Sequence, residues 1–127
     1  MPFRRQLLLT VLAAGMPWPF AAASNSAWWQ IWCDQYLRNG RVVDWQQGIS
    51  HSEGQGYGLL LAQAIGDRNA FEQIEAWTQA HLAVRQDRLM AWSRRQEDGR
   101  IDWRNATDGD LFRAWALLRA DRDSGWS

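Results

Sequence analysis

Apolar side chains recur every three or four residues along most of the chain, and this helical spacing constrains the fold more than any other feature of the sequence. In the first such segment, one predicted stripe consists of Trp28, Ile31, Trp32 and Tyr36, and an adjoining stripe consists of Trp29, Cys33 and Leu37. Gly40 is expected to stop this helix. A second helix is predicted to start near Ser52 and to end at Gly66. Its apolar residues cover so much of its circumference that we expect protein on most sides of it.

Two further helices are predicted from capping boxes, in which a polar residue and an acid three positions later bond to each other's backbone. The third helix is expected to open at Asn69 with Glu72 as the acid, and the fourth at Thr107 with Asp110 as the acid. Between them, residues 84–106 alternate apolar and polar side chains, which predicts an irregular, hairpin-like loop. The sequence therefore indicates an all-α fold.

Residues 1–23 have the composition of a secretory signal peptide: a basic start, an apolar run too short to span a bilayer comfortably, and the small-residue sequence FAAAS. We therefore expect export, with one domain at residues 24–127. Removing Arg4 and Arg5 from the 14 basic residues leaves 12 against 14 acidic ones, a net charge of −2. This balance gives no support for binding to a nucleic-acid backbone.

Neither a cofactor nor a metal is expected from the motifs. In GQGYG the third glycine has the wrong spacing for dinucleotide binding, and no strand is expected before it. His51 and Glu53 form H-x-E, but the cysteine half of a zinc deaminase site is missing. Cys33 is the single cysteine, so it has no internal disulfide partner and is expected to be a small buried hydrophobe.

Two helical hairpins in succession predict an αα-repeat, in which alternate helices run parallel and form an inner layer. If the second and fourth helices are the inner pair, their N-termini lie at the same end. Glu53 and Asp108 lie in those two first turns. The two carboxylates are therefore expected to meet across one cleft, although from position alone an acid in the first turn of a helix is most often only a cap.

Two stretches, SHSEGQGYGLLLA and NATDGDLFRAWALLRA, closely resemble the signature sequences of family 8 glycoside hydrolases. The resemblance is strongest to the periplasmic endoglucanases encoded with bacterial cellulose synthases, and it covers residues 26–121. It implies an (α/α)6 barrel of twelve helices, endo-acting cleavage of β-1,4-glucan, and inversion at the anomeric carbon. With about four helices, the sequence corresponds to an N-terminal fragment of such a barrel.

The resemblance also implies roles for the two acids. Glu53 matches the residue that protonates the departing glycosidic oxygen, and Asp108 matches a catalytic aspartate at the sugar ring being cleaved. The family's general base lies further along its chain, so residues 24–127 alone are expected to be inactive. Asp110 is expected to cap its helix rather than bind sugar, and Asp44 is expected to be a solvated loop acid, with sugar binding as the alternative.

Exposed aromatic side chains are the remaining candidates for substrate binding, because indole and phenol faces stack on glucose rings. They are Trp92, Trp103, Tyr57 and Trp45. Four other tryptophans fall on helical stripes and are expected in the core: Trp28, Trp32, Trp77 and Trp115.

The expected partners are a β-1,4-glucan and, through the resemblance, a cellulose synthase complex, in the periplasm or outside the cell. A noncatalytic glucan-binding or assembly module from a truncated gene is the alternative to an enzyme.

Overall fold

The structure is a computed structural model that describes residues 18–126, with side chains from Asn25 onward. Its helices are α1 (Trp18–Tyr36), α2 (Ser52–Ile65), α3 (Arg68–His81) and α4 (Thr107–Ser124). Its short strands are β1 (Leu37–Arg38), β2 (Arg41–Val42), β3 (Ile49–His51), β4 (Ser93–Arg95) and β5 (Ile101–Asp102). The expected signal peptide lies outside the described residues except for its last part, which begins α1. No described helix is long and apolar enough to cross a membrane.

The prediction that Gly40 stops the first helix is wrong, because α1 ends at Tyr36 and the chain continues into the antiparallel hairpin β1–β2. Asn39 and Gly40 join the two strands, and both have positive φ, 52° and 82°. Positive φ at both central positions defines a type I′ turn, for which Asn-Gly is the favoured pair. A Cβ at position 40 would lie 2.7 Å from the carbonyl carbon of Gln73, so the turn packs on α3 only because it carries glycine.

The second helix is confirmed at both ends. Gly66 adopts φ 83° and its N–H bonds back to the last turn of α2, as is usual for a glycine that ends a helix. α3 then returns antiparallel to α2, because Gln55 near the start of α2 contacts Thr78 near the end of α3, while Gly58 lies against Ile74.

The predicted capping box at the start of α3 is wrong. The N-cap is Asp67, whose Oδ1 accepts a hydrogen bond from the N–H of Ala70 at 3.0 Å. The other carboxylate oxygen accepts from the indole Nε1 of Trp29 at 2.7 Å, which ties α1 to the α2–α3 turn. Glu72 pairs instead with Arg68, on the same helix surface.

The loop between α3 and α4 contains the expected hairpin, formed by the antiparallel strands β4 and β5 with Gly99 at φ 71° in the turn. A third strand that was not predicted, β3, pairs with β4 on its other side. β3 leads directly into α2, and the N–H of Ser52 donates to the carbonyl of Trp92 at 2.8 Å. The small sheet therefore fixes where α2 begins.

α2 and α4 run parallel and pack closely, as expected for an inner pair. Gly109 lies against Ser52 at one end, and Arg119 donates to Gln63 at the other. A Cβ at Gly56 would lie 2.8 Å from the Cβ of Phe112, and one at Gly109 would lie 2.6 Å from the Cβ of Ser52. Glycines at these two positions therefore permit the close approach of the helices.

The core lies where α1, α2, α3 and α4 meet, around the buried side chains Trp29, Leu59, Ala62, Ala70, Phe71, Ile74, Ala116 and Ala120. Complete burial of Leu59 or Ile74 is worth about 1.5–3 kcal/mol each. The core prediction for Trp28 is wrong, because its side chain is more than half exposed. Trp115 is also more than half exposed, as are Leu111 and Leu118 on the same side of α4. From α1, Trp29 is buried in the core, and Trp32 and Cys33 pack against it, together with Leu37 at the start of β1.

Candidate active site

Glu53 lies in the first turn of α2, where strand, cap and helix follow one another without a loop. His51 ends β3 and is also the N-cap of α2, since its Nδ1 accepts a hydrogen bond from the N–H of Gly54 at 3.0 Å. Glu53 lies between His51 and Gly54 in the chain, and its side chain is half-buried. Its backbone position is therefore held from both sides.

The same imidazole reaches toward an acid in the preceding loop. His51 Nε2 lies 3.7 Å from Asp44 Oδ2. Because Nδ1 accepts a bond, the proton of the neutral ring is on Nε2, which faces that carboxylate. Hydrogen bonds from Gln47, then Gln46, together with the nearby His51, hold the pKa of Asp44 below its usual value. Asp44 is therefore a charged, ordered acid that is joined to the helix carrying Glu53.

Asp108 is exposed in the first turn of α4, and its Oδ1 accepts a hydrogen bond from the N–H of Gly109 at 2.9 Å. Gly109 is in close contact with Ser52. Glu53 directly follows Ser52 and Asp108 directly precedes Gly109, so the two acids lie at the same end of the inner helix pair. The hydroxyl of Ser52 is buried in the contact and has no hydrogen-bond partner among the described residues. The expected meeting of the two first turns is thus present.

Asp110 does not cap α4, which corrects the prediction made from Thr107. The N-cap position is Ala106, which has no side-chain acceptor. The carboxylate of Asp110 instead accepts from the N–H of Met90 at 2.9 Å and from the side-chain amide of Asn105. Asp110 therefore anchors both ends of the loop between α3 and α4 to the first turn of α4.

Three predicted substrate-binding residues come together in one groove of about 640 Å³, the Tyr57 groove. Asp44, Trp45 and Tyr57 line it together with His51. Tyr57 is half-exposed and packs its ring 4.9 Å from that of Phe112. The indole Nε1 of Trp45 donates to the carbonyl of Gln35 at 2.7 Å, so its half-exposed ring is held in place.

The other two predicted aromatic residues, Trp92 and Trp103, line a second groove of about 530 Å³, the Trp103 groove. Trp103 is 55% exposed. The guanidinium of Arg104 lies 5.5 Å from the centroid of the Trp92 ring and also bonds to Asp102, which lowers the pKa of that carboxyl to about 2. The structure thus divides the predicted aromatic residues between two surfaces.

The remaining groups with catalytic or metal-binding chemistry do not form a site. Within the part of the chain that the structure describes, no three His, Cys, Asp or Glu side chains are grouped so as to hold a metal ion. Cys33 is half-buried, and burial, followed by the charges of Asp67 and Asp34, raises the pKa of its thiol to about 11. The thiol is therefore protonated, and poorly nucleophilic, at neutral pH.

Sequence reasoning missed His51 as the cap of Glu53's helix and Gln55 as a buried polar centre. Gln55 is completely buried; its Nε2 donates to the carbonyl of Gly40 at 3.0 Å and to Thr78 Oγ1 at 2.9 Å, while its Oε1 accepts from the N–H of Val42 at 2.6 Å. A histidine cap has no strong sequence signal. The glutamine could have been suspected from its position on the apolar side of α2.

Comparison with known proteins shows similarity along the whole chain. The model of glycosyl hydrolases family 8 matches residues 1–127. An endoglucanase of Cellulomonas uda is 38% identical over 125 residues, which cover 96% of this chain and 34% of the relative. A probable endoglucanase of Novacetimonas hansenii is 41% identical over 121 residues, 92% of this chain and 34% of the relative.

Solved structures agree with these relatives. The endo-β-1,4-glucanase CMCax of Acetobacter xylinum matches with a TM-score of 0.70 and 42% identity over 76% of this chain and 32% of that one. A family 8 endo-β-1,4-glucanase from an Achatina fulica gut metagenomic library matches with a TM-score of 0.72 and 40% identity, with the same coverage. The chain therefore spans about a third of the length of its relatives. The four helices within residues 18–126 are part of an (α/α)6 barrel, and the chain belongs to family 8 of the glycosyl hydrolases.

Proposed function

We propose that this chain supplies the acid side of an endo-acting glycoside hydrolase that cleaves β-1,4-glucosidic bonds in cellulose or a related β-glucan. One observation carries the proposal: the parallel helices α2 and α4 meet at Ser52 and Gly109, so Glu53 and Asp108 share one end of the inner pair. The endoglucanases among the relatives give the substrate class.

In this proposal Glu53 is the general acid. It gives its proton to the departing glycosidic oxygen as the bond to the anomeric carbon breaks. Asp108 stands at the sugar ring being cleaved, where a carboxylate stabilises the positive charge that develops in the transition state. Inversion also needs a base about 6.5–9.5 Å from the acid to activate water on the opposite face of the ring. By the resemblance, that base belongs to the part of the family's domain that this chain does not span.

The two grooves are the proposed contacts to the glucan. Trp45 and Tyr57 present half-exposed rings in one groove, and Trp103 presents one in the other. Flat sugar faces pack on such rings, while Asp44 is charged and can accept hydrogen bonds from sugar hydroxyls. In this proposal each groove binds glucose units of the same polymer, as an enzyme that cleaves within a polymer requires.

The experiment uses a chimera, because this chain spans a third of its relatives. Residues 26–126 replace the corresponding segment of the Novacetimonas hansenii endoglucanase, and the viscosity of carboxymethyl cellulose is followed with time. We expect a rapid fall in viscosity, and Glu53→Gln in the chimera is expected to slow hydrolysis by about 100-fold or more while cellohexaose still binds. Glu72→Gln, an exposed acid on α3, is the matched control and leaves the rate unchanged. Near-normal turnover in the Glu53→Gln chimera would remove Glu53 from the acid role.

A noncatalytic glucan-binding module is the second candidate, favoured by the two grooves lined with exposed aromatic side chains. The same chimera separates the two: cellohexaose binding without hydrolysis in the unsubstituted chimera would support the module.

We also propose that the protein is exported and acts in the periplasm or outside the cell, in association with a cellulose synthase complex. The sequence FAAAS and the basic, apolar residues before it support export. Mass spectrometry of exported protein is expected to give an N-terminus near Ser24, and an intact Met1 end would contradict this.

A further inference from the structure

Within the part of the chain whose side chains the structure describes, two half-buried arginines have no carboxylate partner, although every other arginine of similar burial there has one. Among residues 25–126, five arginines are half-buried: Arg41, Arg85, Arg94, Arg113 and Arg119. Carboxylate oxygens lie within 4.0 Å of three of them, at Asp87, Glu75 and Asp123. Arg41 and Arg94 have no carboxylate oxygen of residues 25–126 within this distance. Burying a charged group without an opposite charge nearby costs free energy. A negatively charged ligand bound at Arg41 and Arg94 would therefore stabilise the folded protein.

The two guanidinium groups lie on the same face of the small sheet. Ser50 and Arg94 are paired across β3 and β4, so their side chains point to one side. Arg41 reaches this side from β2: its Nε donates to Ser50 Oγ at 2.7 Å and its Nη2 donates to the carbonyl of Arg94 at 3.2 Å. These two bonds fix the guanidinium of Arg41 and leave its Nη1 without a partner among the described residues.

The end of α3 completes the surface with a third basic group. His81, the last residue of α3, stacks on Trp77 with ring centroids 4.7 Å apart, and the guanidinium carbon of Arg41 lies 5.3 Å from the Trp77 centroid. The indole ring supports both groups but supplies no negative charge to balance them. Burial and the charges of Arg94 and Arg41 lower the pKa of His81, which is consistent with a local positive potential at this surface.

We propose that Arg41, Arg94 and His81 form a binding site for a phosphate group. Two arginines carry a charge of +2, which a phosphate with about −1.5 to −2 at neutral pH balances more fully than a carboxylate does. Planar guanidinium groups match the geometry of phosphate oxygens, and the free Nη1 of Arg41 is available for a charge-assisted bond. The phosphate is either a free ion or an ester on a saccharide, and the residues of the site do not include Glu53 or Asp108.

The two histidines of the chain provide the readout and its internal control. Their side-chain signals are titrated by NMR in the full chain, at constant ionic strength, with chloride, inorganic phosphate, glucose 6-phosphate or glucose. The charged groups that face His81 are Arg94 from β4 and Arg41 from β2, so a bound anion that neutralises them raises the pKa of His81. We expect this rise with phosphate or glucose 6-phosphate, none with glucose, and no change at His51.

Variants that each replace a single arginine test the position of the site. Arg94→Gln is expected to weaken phosphate binding about tenfold or more, and Arg94→Lys to keep most of it. Arg95→Gln removes an exposed charge from the next position of β4, which faces the other side of the sheet, and is expected to change the affinity less than twofold. Tighter binding of glucose 6-phosphate than of phosphate would identify a saccharide ester as the ligand, and equal binding a free phosphate. No pKa rise at His81, or equal losses in Arg94→Gln and Arg95→Gln, would overturn the proposal.

Discussion

The two inner helices, α2 and α4, run parallel and each begins with an acid in its first turn, but they differ in how much protein covers them. Eight of the 14 residues of α2 are buried, against three of the 18 residues of α4. α2 is held by α1, by α3, by the small sheet and by α4. α4 has α2 on one side, and its other side exposes Leu111, Trp115 and Leu118.

This difference shows which part of the candidate site is held in place by contacts within the described residues. The backbone at Glu53 is fixed by His51 and by β3, so its placement depends on contacts within the described residues. Asp108 lies on a helix with one open side, and we infer that further helices of the barrel pack there. The acid and the aspartate are therefore positioned to different degrees by the same third of a domain.

Substituting one leucine in each helix is expected to give the largest difference in the free energy of unfolding. Leu59→Ala in α2 removes a completely buried side chain and is expected to lower the free energy of unfolding by about 2–5 kcal/mol. Leu118→Ala in α4, where the side chain is 52% exposed, is expected to change it by no more than about 0.5 kcal/mol. Urea denaturation followed by tryptophan fluorescence measures both. Equal losses would mean that α4 is as enclosed as α2 in solution.

A smaller effect is expected where the two helices touch. Gly109→Ala places a Cβ against Ser52 and is expected to cost about 1–3 kcal/mol, as overpacking does. Ser52→Gly removes the opposing side chain, so the double variant should recover part of the loss if the contact is the cause. Purely additive losses in the same urea measurement would argue against close packing at this point.

The smallest change in folding stability, but a visible change in assembly, is expected on the open side of α4. The chain is expected to self-associate through this apolar face, because burial of such side chains is favourable. Trp115→Gln with Leu118→Gln is expected to shift the sedimentation profile toward monomer. The single variant Trp115→Gln is also measured, and its matched control is Trp28→Gln, which changes an exposed tryptophan of α1. A larger shift from the α1 variant would place the association elsewhere.

Much of the helical framework could be predicted from the sequence because strong local signals mark it. Gly66 ends α2 in the left-handed conformation that glycine adopts readily, and the spacing of apolar residues located α2 and α4. Parallel packing of these helices then followed from the order of two hairpins. The meeting of the first turns at Glu53 and Asp108 is a consequence of that order.

The features that were predicted wrongly or not at all have physical explanations. β3 has three residues, too few for an alternating pattern to show, and it exists because β4 pairs with it. Asp67 caps α3 in place of Asn69 because its two oxygens serve both Ala70 and Trp29, a choice that depends on the position of α1. Helical spacing also identified two stripes on α1, but spacing alone does not decide which stripe faces the core, and the expectation that Trp28 is buried was wrong while Trp29 of the other stripe is buried.

Asn39-Gly40 is different, because the pair is a strong local signal for a type I′ hairpin that was interpreted as a helix stop. Asp110 is the opposite case. Its spacing from Thr107 fits a capping box, but Met90 and Asn105, both from the preceding loop, occupy its carboxylate. Competition from residues distant in sequence cannot be read from a four-residue motif.

The buried amide of Gln55 has a mechanical consequence for the cleft. It bonds at once to the β1–β2 hairpin through Gly40 and Val42 and to α3 through Thr78, and it stands two residues after Glu53. Displacing the hairpin or α3 would leave a polar group unpaired in a dry interior, which costs about 1–3 kcal/mol. Movement of the hairpin or of α3 is therefore coupled to α2, the helix that carries Glu53, and a glucan that binds at Trp45 as proposed would act on the same coupled segments.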